Sequence, residues 1–198
     1  MQNLHLSCFD QAIPNWVNTD ITPHIKIAKI PGAARLLHML GRMDDKRLQQ
    51  HKDGVFSDIQ YLDMTKPFPF EDGSFKNVFC AHVFEHLFHD DAVACAREVH
   101  RVLAPGGVFR VTVPDLDYAI ERYNPEQPEE LLHTVFEATQ ANDKNRHQWM
   151  YNAGSMARLL EKAGFERTAR CDFQQGECAD LDKLDNRPDG TLFMEGYR

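Results

Sequence analysis

The chain has 198 residues, 42% of them hydrophobic, enough for one domain with a sizeable core. Its 22 Lys and Arg against 30 Asp and Glu give a net charge of -8, which argues against nucleic acid or an anionic membrane surface as the main partner. Five unpaired-looking cysteines, an N-terminus without a signal-like apolar run, and no stretch near the roughly 18 apolar residues of a membrane span read as a cytoplasmic protein with reduced thiols.

In chain order, "NLHLSCF" opens as a strand and "WVNTDI", 16–21, as a second, with Pro14 and Asn15 breaking the chain between them. Residues 9–15 are too few for a full crossover helix, which takes about a dozen. Residues 33–51 read as one helix with Leu36, Leu37, Leu40 and Met43 on one side. Between 24 and 53, Lys26, Lys29, Arg35, Arg42, Lys46, Arg47 and Lys52 outnumber Asp44, Asp45 and Asp53, which reads as a solvated face or as a lid that draws an anionic substrate. A short strand is expected in 56–63. After a turn-rich segment with Asp72-Gly73, another is expected in 76–82. Asp90 and Asp91 are placed to start a helix with an apolar stripe of Val93, Ala96, Val99, Val102 and Leu103, which Pro105-Gly106-Gly107 ends. A strand at 107–115, helices in "DLDYAIERY", "PEELLHTVFEATQAN" and "NAGSMARLLEKAGF", and strands in "FERTARCDF" and "GTLFMEGYR" complete the pattern.

Strands alternating with helices indicate an α/β sheet covered on both faces, with ligands bound beyond the carboxyl ends of its strands. Ser7, Cys8, Asp20, Asp63, His82, Glu85, Asp115 and Asp117 fall at those ends. In "AHVFEHL", His82, Glu85 and His86 have the spacing of a zinc-peptidase helix, the basis of a minor alternative, a metal-dependent hydrolase. The β-rich "NVFCA" before it puts His82 at a strand end instead, so no metal site is assigned. Whether an ion or hydrogen bonds hold the three side chains stays open. His147 and Trp149 follow a polar loop and are candidates for an acceptor pocket, against an ordinary loop-to-helix junction.

"FPFEDGSFKNVFCAHVFEHL" followed by "REVHRVLAPGGVFRVTVPDLD" resembles the class I S-adenosylmethionine-dependent methyltransferases, particularly the small methyltransferase type 11 group. The resemblance implies a Rossmann-like α/β fold: a mostly parallel sheet, helices on both faces and an antiparallel C-terminal strand. It implies a single domain over 1–198, with 24–57 as a helical lid-like insertion and 118–150 as a helical acceptor-side insertion. The cofactor implied is S-adenosyl-L-methionine, with Leu6, Ser7, Cys8 and Phe9 at the donor turn, Asp20 and Ile21 at the ribose, and Asp63 and Met64 flanking the adenine. Ala81 and His82 lie beneath the donor and face the acceptor. His82, with His86 beside it, is the candidate catalytic group. The implied reaction is O- or N-methylation of a small-molecule acceptor, a sugar or an anionic metabolite; the oligomeric state leaves no signature. Ser7 and Phe9 stand where the family carries glycines, and side chains there restrict positive φ. That departure is the basis of the alternative, a non-catalytic binding or scaffold protein that has lost the donor site.

Overall fold

In the computed structural model, which describes residues 1–136 and 146–198, seven strands form one sheet in the order β3-β2-β1-β4-β5-β7-β6. They are β1 (Gln2–Leu6), β2 (Trp16–Asp20), β3 (Gln60–Tyr61), β4 (Phe75–Ala81), β5 (Leu103–Pro114), β6 (Arg167–Cys171) and β7 (Thr191–Tyr197). The first five pair in parallel, and β7 runs antiparallel to both β5 and β6. This is the Rossmann-like arrangement expected from the sequence, with the chain reversing direction across β1, so that a crevice opens beyond the ends of β1 and β4.

The period of two along each strand divides the sheet residues between two faces. Leu4, Leu6, Val78, Cys80, Phe109, Val111, Val113, Leu192 and Met194 join one apolar cluster with residues of α4 (His89–Val102) and α7 (Ala153–Ala163). The apolar residues of α4 recur at helical spacing, and Asp90 and Asp91 lie in its first turn, where carboxylates favour the helix dipole. They do not cap it: the N-cap is Phe88, without a side-chain bond. In α7 an Asn152–Ser155 capping box starts the helix, and Gly164, at φ 110°, ends it in a conformation that suits glycine.

The opposite face is covered differently. Residues 7–15 form no helix, so β1 passes to β2 through turns alone. The connection between β6 and β7, with the short α8 (Leu181–Leu184), folds back over this face. Its Cys178, Leu181 and Leu184 pack against Trp16, Phe79 and Val108, and Trp16 Nε1 donates to Asp180 Oδ2 at 3.0 Å. Arg110, fully buried on β5, donates to Asp185 and to the carbonyls of Asp172 and Gln175, with Glu195 3.7 Å away. Glu195 in turn accepts from the backbone N–H groups of Glu177 and Cys178. A Cβ on Gly176 would stand 2.2 Å from Glu195 Oε1, so the close approach of the connection requires glycine there.

Other boundaries differ from the sequence reading. The single helix expected over 33–51 is two, α2 (Ala33–Met39) and α3 (Asp45–Lys52), preceded by α1 (His24–Ala28). Gly41 turns the chain at φ 68°, and Asp44 caps α3 by accepting from Arg47 N at 2.7 Å. Pro105-Gly106-Gly107 lies inside β5 and not beyond a helix end; α4 gives way to strand at Leu103. Downstream, α5 is Leu116–Glu121 and α6 is Pro128–Phe136. The expected continuation of α6 to 142, and the 137–145 part of the 118–150 insertion, lie outside the described residues.

Candidate functional site

The turn after β1 keeps a glycine-type backbone without glycine. Ser7 and Phe9 take φ values of 51° and 46°, in the left-handed region. Such conformations cost free energy in non-glycine residues and persist where surrounding bonds fix them. Here Cys8 N donates to Thr19 O at 2.9 Å, Phe9 N to Asp20 Oδ2 at 2.9 Å, and Thr22 N to Asp20 Oδ1 at 2.6 Å. Asp20, 6% exposed, therefore ties the turn to the end of β2 while each of its oxygens keeps further acceptor capacity.

Ser7 Oγ donates to Met64 Sδ at 3.1 Å, joining the β1 turn to the segment after β3. Asp63 next to it accepts from Thr65 N and Oγ1, which hold its carboxyl below the usual range. Leu6 is fully buried in the core, and Cys8 packs with Ile25, Phe56 and Ile59, so these two contribute backbone. Burial, then the charge of Asp20, pushes the Cys8 thiol up to about 12. Ile21 is exposed. The Phe9 ring lies under the Arg47 guanidinium, 4.4 Å from its centroid. Arg47 and Gln50 of α3 also bind Asp10. Burial works to raise the Asp10 pKa, but the bonds from Arg47, Gln50 and Gln11 outweigh it and leave it at about 2.

A cleft of about 280 Å³ lies beyond β1 and β4, lined by Ser7, Phe9, Gln11, Ala81 and His82, with Arg187 from the β6–β7 connection. A second, of about 330 Å³, is lined by His82, Glu85, His86, Pro114, Arg187 and Thr191. His82 and Arg187 belong to both. His82 has φ 52° and donates its backbone N–H to Thr112 O at 2.8 Å. It ends β4 and precedes a single 3-10 turn, Phe84–His86, so the zinc-peptidase helix is not formed. Its Nδ1 is 3.5 Å from Glu85 Oε1, and its buried Nε2 has no hydrogen-bond partner among the described residues.

Glu85 is 1% exposed. Its carbonyl accepts from Gln148 N and Trp149 N, which draws the segment before α7 onto the 3-10 turn. His86 Nε2 lies 3.9 Å from Glu85 Oε1, and the His86 and His147 ring centroids are 5.1 Å apart. Trp149 is largely exposed, against His89, while Tyr151 is fully buried. Of the two candidates in "NRHQWMYN", His147 thus joins the Glu85 cluster and Trp149 does not. The part played by Tyr151 and by the 172–190 connection was not read from the sequence: neither carries a periodic pattern, and both act through tertiary packing.

The methyltransferase domain family model matches residues 38–111, less than half of the chain, from α2 to the middle of β5. That span holds Asp63, Met64, Ala81, His82, Glu85 and His86, and begins after the β1 turn and Asp20. Among solved structures, the chain is similar to an S-adenosylmethionine-dependent methyltransferase of Thermotoga maritima, described as a possible histamine N-methyltransferase, at 13% identity and TM-score 0.58 over 99% of this chain and 81% of that one. It is also similar to an S-adenosylmethionine-dependent methyltransferase of Mesorhizobium loti, at 17% identity and TM-score 0.54 over 100% and 90%. A third similarity is to PigF with S-adenosylhomocysteine, at 12% identity and TM-score 0.54, where the chain spans 50% of that protein. At these identities the likeness is one of fold. No curated protein sequence matches the chain.

Proposed function

We propose that this chain, a protein of the class I S-adenosylmethionine-dependent methyltransferase fold whose residues 38–111 match the methyltransferase domain, methylates an oxygen or nitrogen of a small, oxygen-rich or anionic acceptor. The observation that carries the reading is the β1 turn: Ser7 and Phe9 hold positive φ, and Asp20 fastens them, at the place where a donor must approach the backbone. The residues present fit the donor because this cradle is built and opens on a cleft. The alternative of a lost donor site rested on the two missing glycines, and the turn holds its conformation without them.

S-adenosylmethionine, when bound, supplies an activated sulfonium methyl group. The chain's own work is then positioning and exclusion of water. The turn Ser7–Phe9 receives the methionine end, Asp20 accepts from the ribose hydroxyls, and Asp63 with Met64 borders the adenine. His82, shared by both clefts, is the group placed to receive the acceptor's proton, and Glu85 beside Nδ1 orients the ring. Arg187, also shared, favours an acceptor carrying negative charge or many oxygens.

Isothermal titration with S-adenosylhomocysteine tests the reading. One site per chain is expected, weakened at least tenfold in Asp20→Ala. Absence of binding at millimolar ligand overturns it.

A further inference from the structure

We propose that the outer face of α1–α3, the three helices of the 24–57 segment, is a docking surface for an anionic phospholipid bilayer. Leu36, Met39 and Leu40 enter the boundary between headgroups and acyl chains, and the basic side chains around them bind lipid phosphates. This surface is separate from the candidate site and does not rest on methyl transfer.

The helix α2 presents its apolar residues to solvent. None of its residues is buried. Leu36, Met39 and Leu40 fall at i, i+3 and i+4, on one face of the helix and its end, and are 56%, 81% and 62% exposed. Ile30, just before the helix, is 60% exposed. A single apolar side chain on a surface needs no explanation, whereas a group of large ones marks an interaction site. None of the four lines either cleft of the candidate site, so the reaction proposed above leaves them unused.

The charge around this face is opposite in sign to that of the whole chain. Lys29, Arg35, Arg42, Lys46 and Lys52 are exposed and have no ion-pair partner among the described residues. The carboxylates of the segment are engaged elsewhere: Asp44 caps α3, Asp45 lies 3.5 Å from His38 Nε2, and Asp53 accepts from Gln49. A cavity of about 290 Å³ opens between α1, α2 and α3, where Ile27, Ile30 and Leu48 meet Arg35, His51 and Lys52 and no carboxylate takes part in the lining. Two unpaired cations beside an apolar wall suit the phosphate end of a lipid. The net charge of -8 opposes a membrane as partner of the whole surface but not of one face, because charges more than about 8 Å from the contact are screened at physiological salt.

Charge complementarity selects the bilayer over a second copy of the chain. A symmetric pair of copies meets patch against patch, which would set each of these cations opposite its own kind. An anionic bilayer pairs all of them and takes up the apolar side chains between them. A short helix suffices, since an interfacial helix lies in the membrane plane and spans nothing. Each basic side chain near such a surface raises affinity about fivefold.

The test sediments the full chain with vesicles of phosphatidylcholine alone and with vesicles containing about one third phosphatidylglycerol. Binding is expected to the anionic vesicles only, and at least tenfold weaker when salt is raised from about 0.1 M to about 1 M. Leu36→Gln combined with Met39→Gln, which leaves every charge in place, should weaken binding at least tenfold. Arg35→Gln combined with Arg42→Gln should weaken it about twentyfold. All four side chains are exposed, so the far-ultraviolet circular dichroism should not change; should one pair fail to fold, the other decides. No vesicle binding, equal binding to neutral vesicles, or binding that Leu36→Gln with Met39→Gln leaves unaltered overturns the proposal. A dimer in sedimentation equilibrium that the same variant dissociates also overturns it and assigns the face to a second copy. None of these readouts involves S-adenosylhomocysteine, so a failed donor titration and a failed vesicle titration are separate results.

Discussion

On the α4/α7 face, the sheet buries aliphatic and aromatic side chains against two amphipathic helices with apolar stripes, of which α7 starts in a capping box and α4 has no side-chain cap. On the opposite face it buries a guanidinium, two carboxylates and an imidazole beneath a connection in which α8 supplies four helical residues. The first face is stabilised by apolar area alone, and each contact adds its share. The second is an all-or-none set, because a buried charge that loses its partner costs more than the pair contributes. The same connection brings Arg187 to both clefts, so the polar face borders the candidate site directly.

That contrast breaks most sharply at Arg110. Arg110→Met leaves Asp185 and Glu195 buried without their cation, and a loss of about 3–5 kcal/mol is expected in urea unfolding. A cavity mutation on the other face, Met156→Ala, costs about 2–5 kcal/mol. The two variants differ in a second reading. At temperatures where each is folded, Arg110→Met weakens S-adenosylhomocysteine binding by freeing the 172–190 connection, and Met156→Ala leaves it unchanged.

A pH series sharpens the comparison further. His5, 4% exposed on the polar face, has its pKa lowered to about 4 by burial. It packs on the rings of Phe79 and Trp16. Because the folded value lies below the unfolded 6.5, the unfolded chain binds the extra proton between those values. Stability is therefore full above about pH 6.5 and falls as the solution is acidified toward 4. Between pH 7.5 and 5.0 His5 accounts for about 2 kcal/mol of lost stability. His24 and His51, lowered first by burial, act in the same direction. Comparing urea midpoints at the two pH values in wild type and His5→Asn isolates the His5 share; an equal acid loss in both would refute it.

The smallest effect is expected at the α3 contact. Arg47→Ala removes the bond to Asp10 and the cover over Phe9, a partly exposed interaction worth about 1 kcal/mol. Binding of S-adenosylhomocysteine should weaken about fivefold, with little change in the thermal midpoint.

The strands and the helices α4 and α7 were legible because apolar period and β-branched runs report burial directly. The 33–51 segment reads as one helix and is two, because its leucines keep helical spacing across a glycine turn and an Asp44 cap that the apolar pattern does not register. Its Leu36, Met39 and Leu40 are in fact exposed. At the candidate site, the strand-end positions of Ser7, Asp20 and His82 follow from topology and that of Met64 from the family resemblance, and the structure brings Ser7 onto Met64 and Phe9 N onto Asp20. Positive φ at Ser7 and Phe9 was not legible, since only the bonds to Thr19 and Asp20 make it affordable. Nor was the meeting of Glu85 with His147 and Tyr151, which depends on the Gln148 and Trp149 amides reaching the Glu85 carbonyl.

The central claim is that the β1 turn, though lacking glycine, is a working donor cradle. A crystal structure of the chain grown with S-adenosylhomocysteine tests it most directly. The account predicts the ligand's ribose on Asp20, its adenine beside Asp63 and Met64, and its sulfur directed at the cleft shared by His82 and Arg187. A ligand bound elsewhere, or a Phe9 ring occupying the donor's place in saturated crystals, would contradict it.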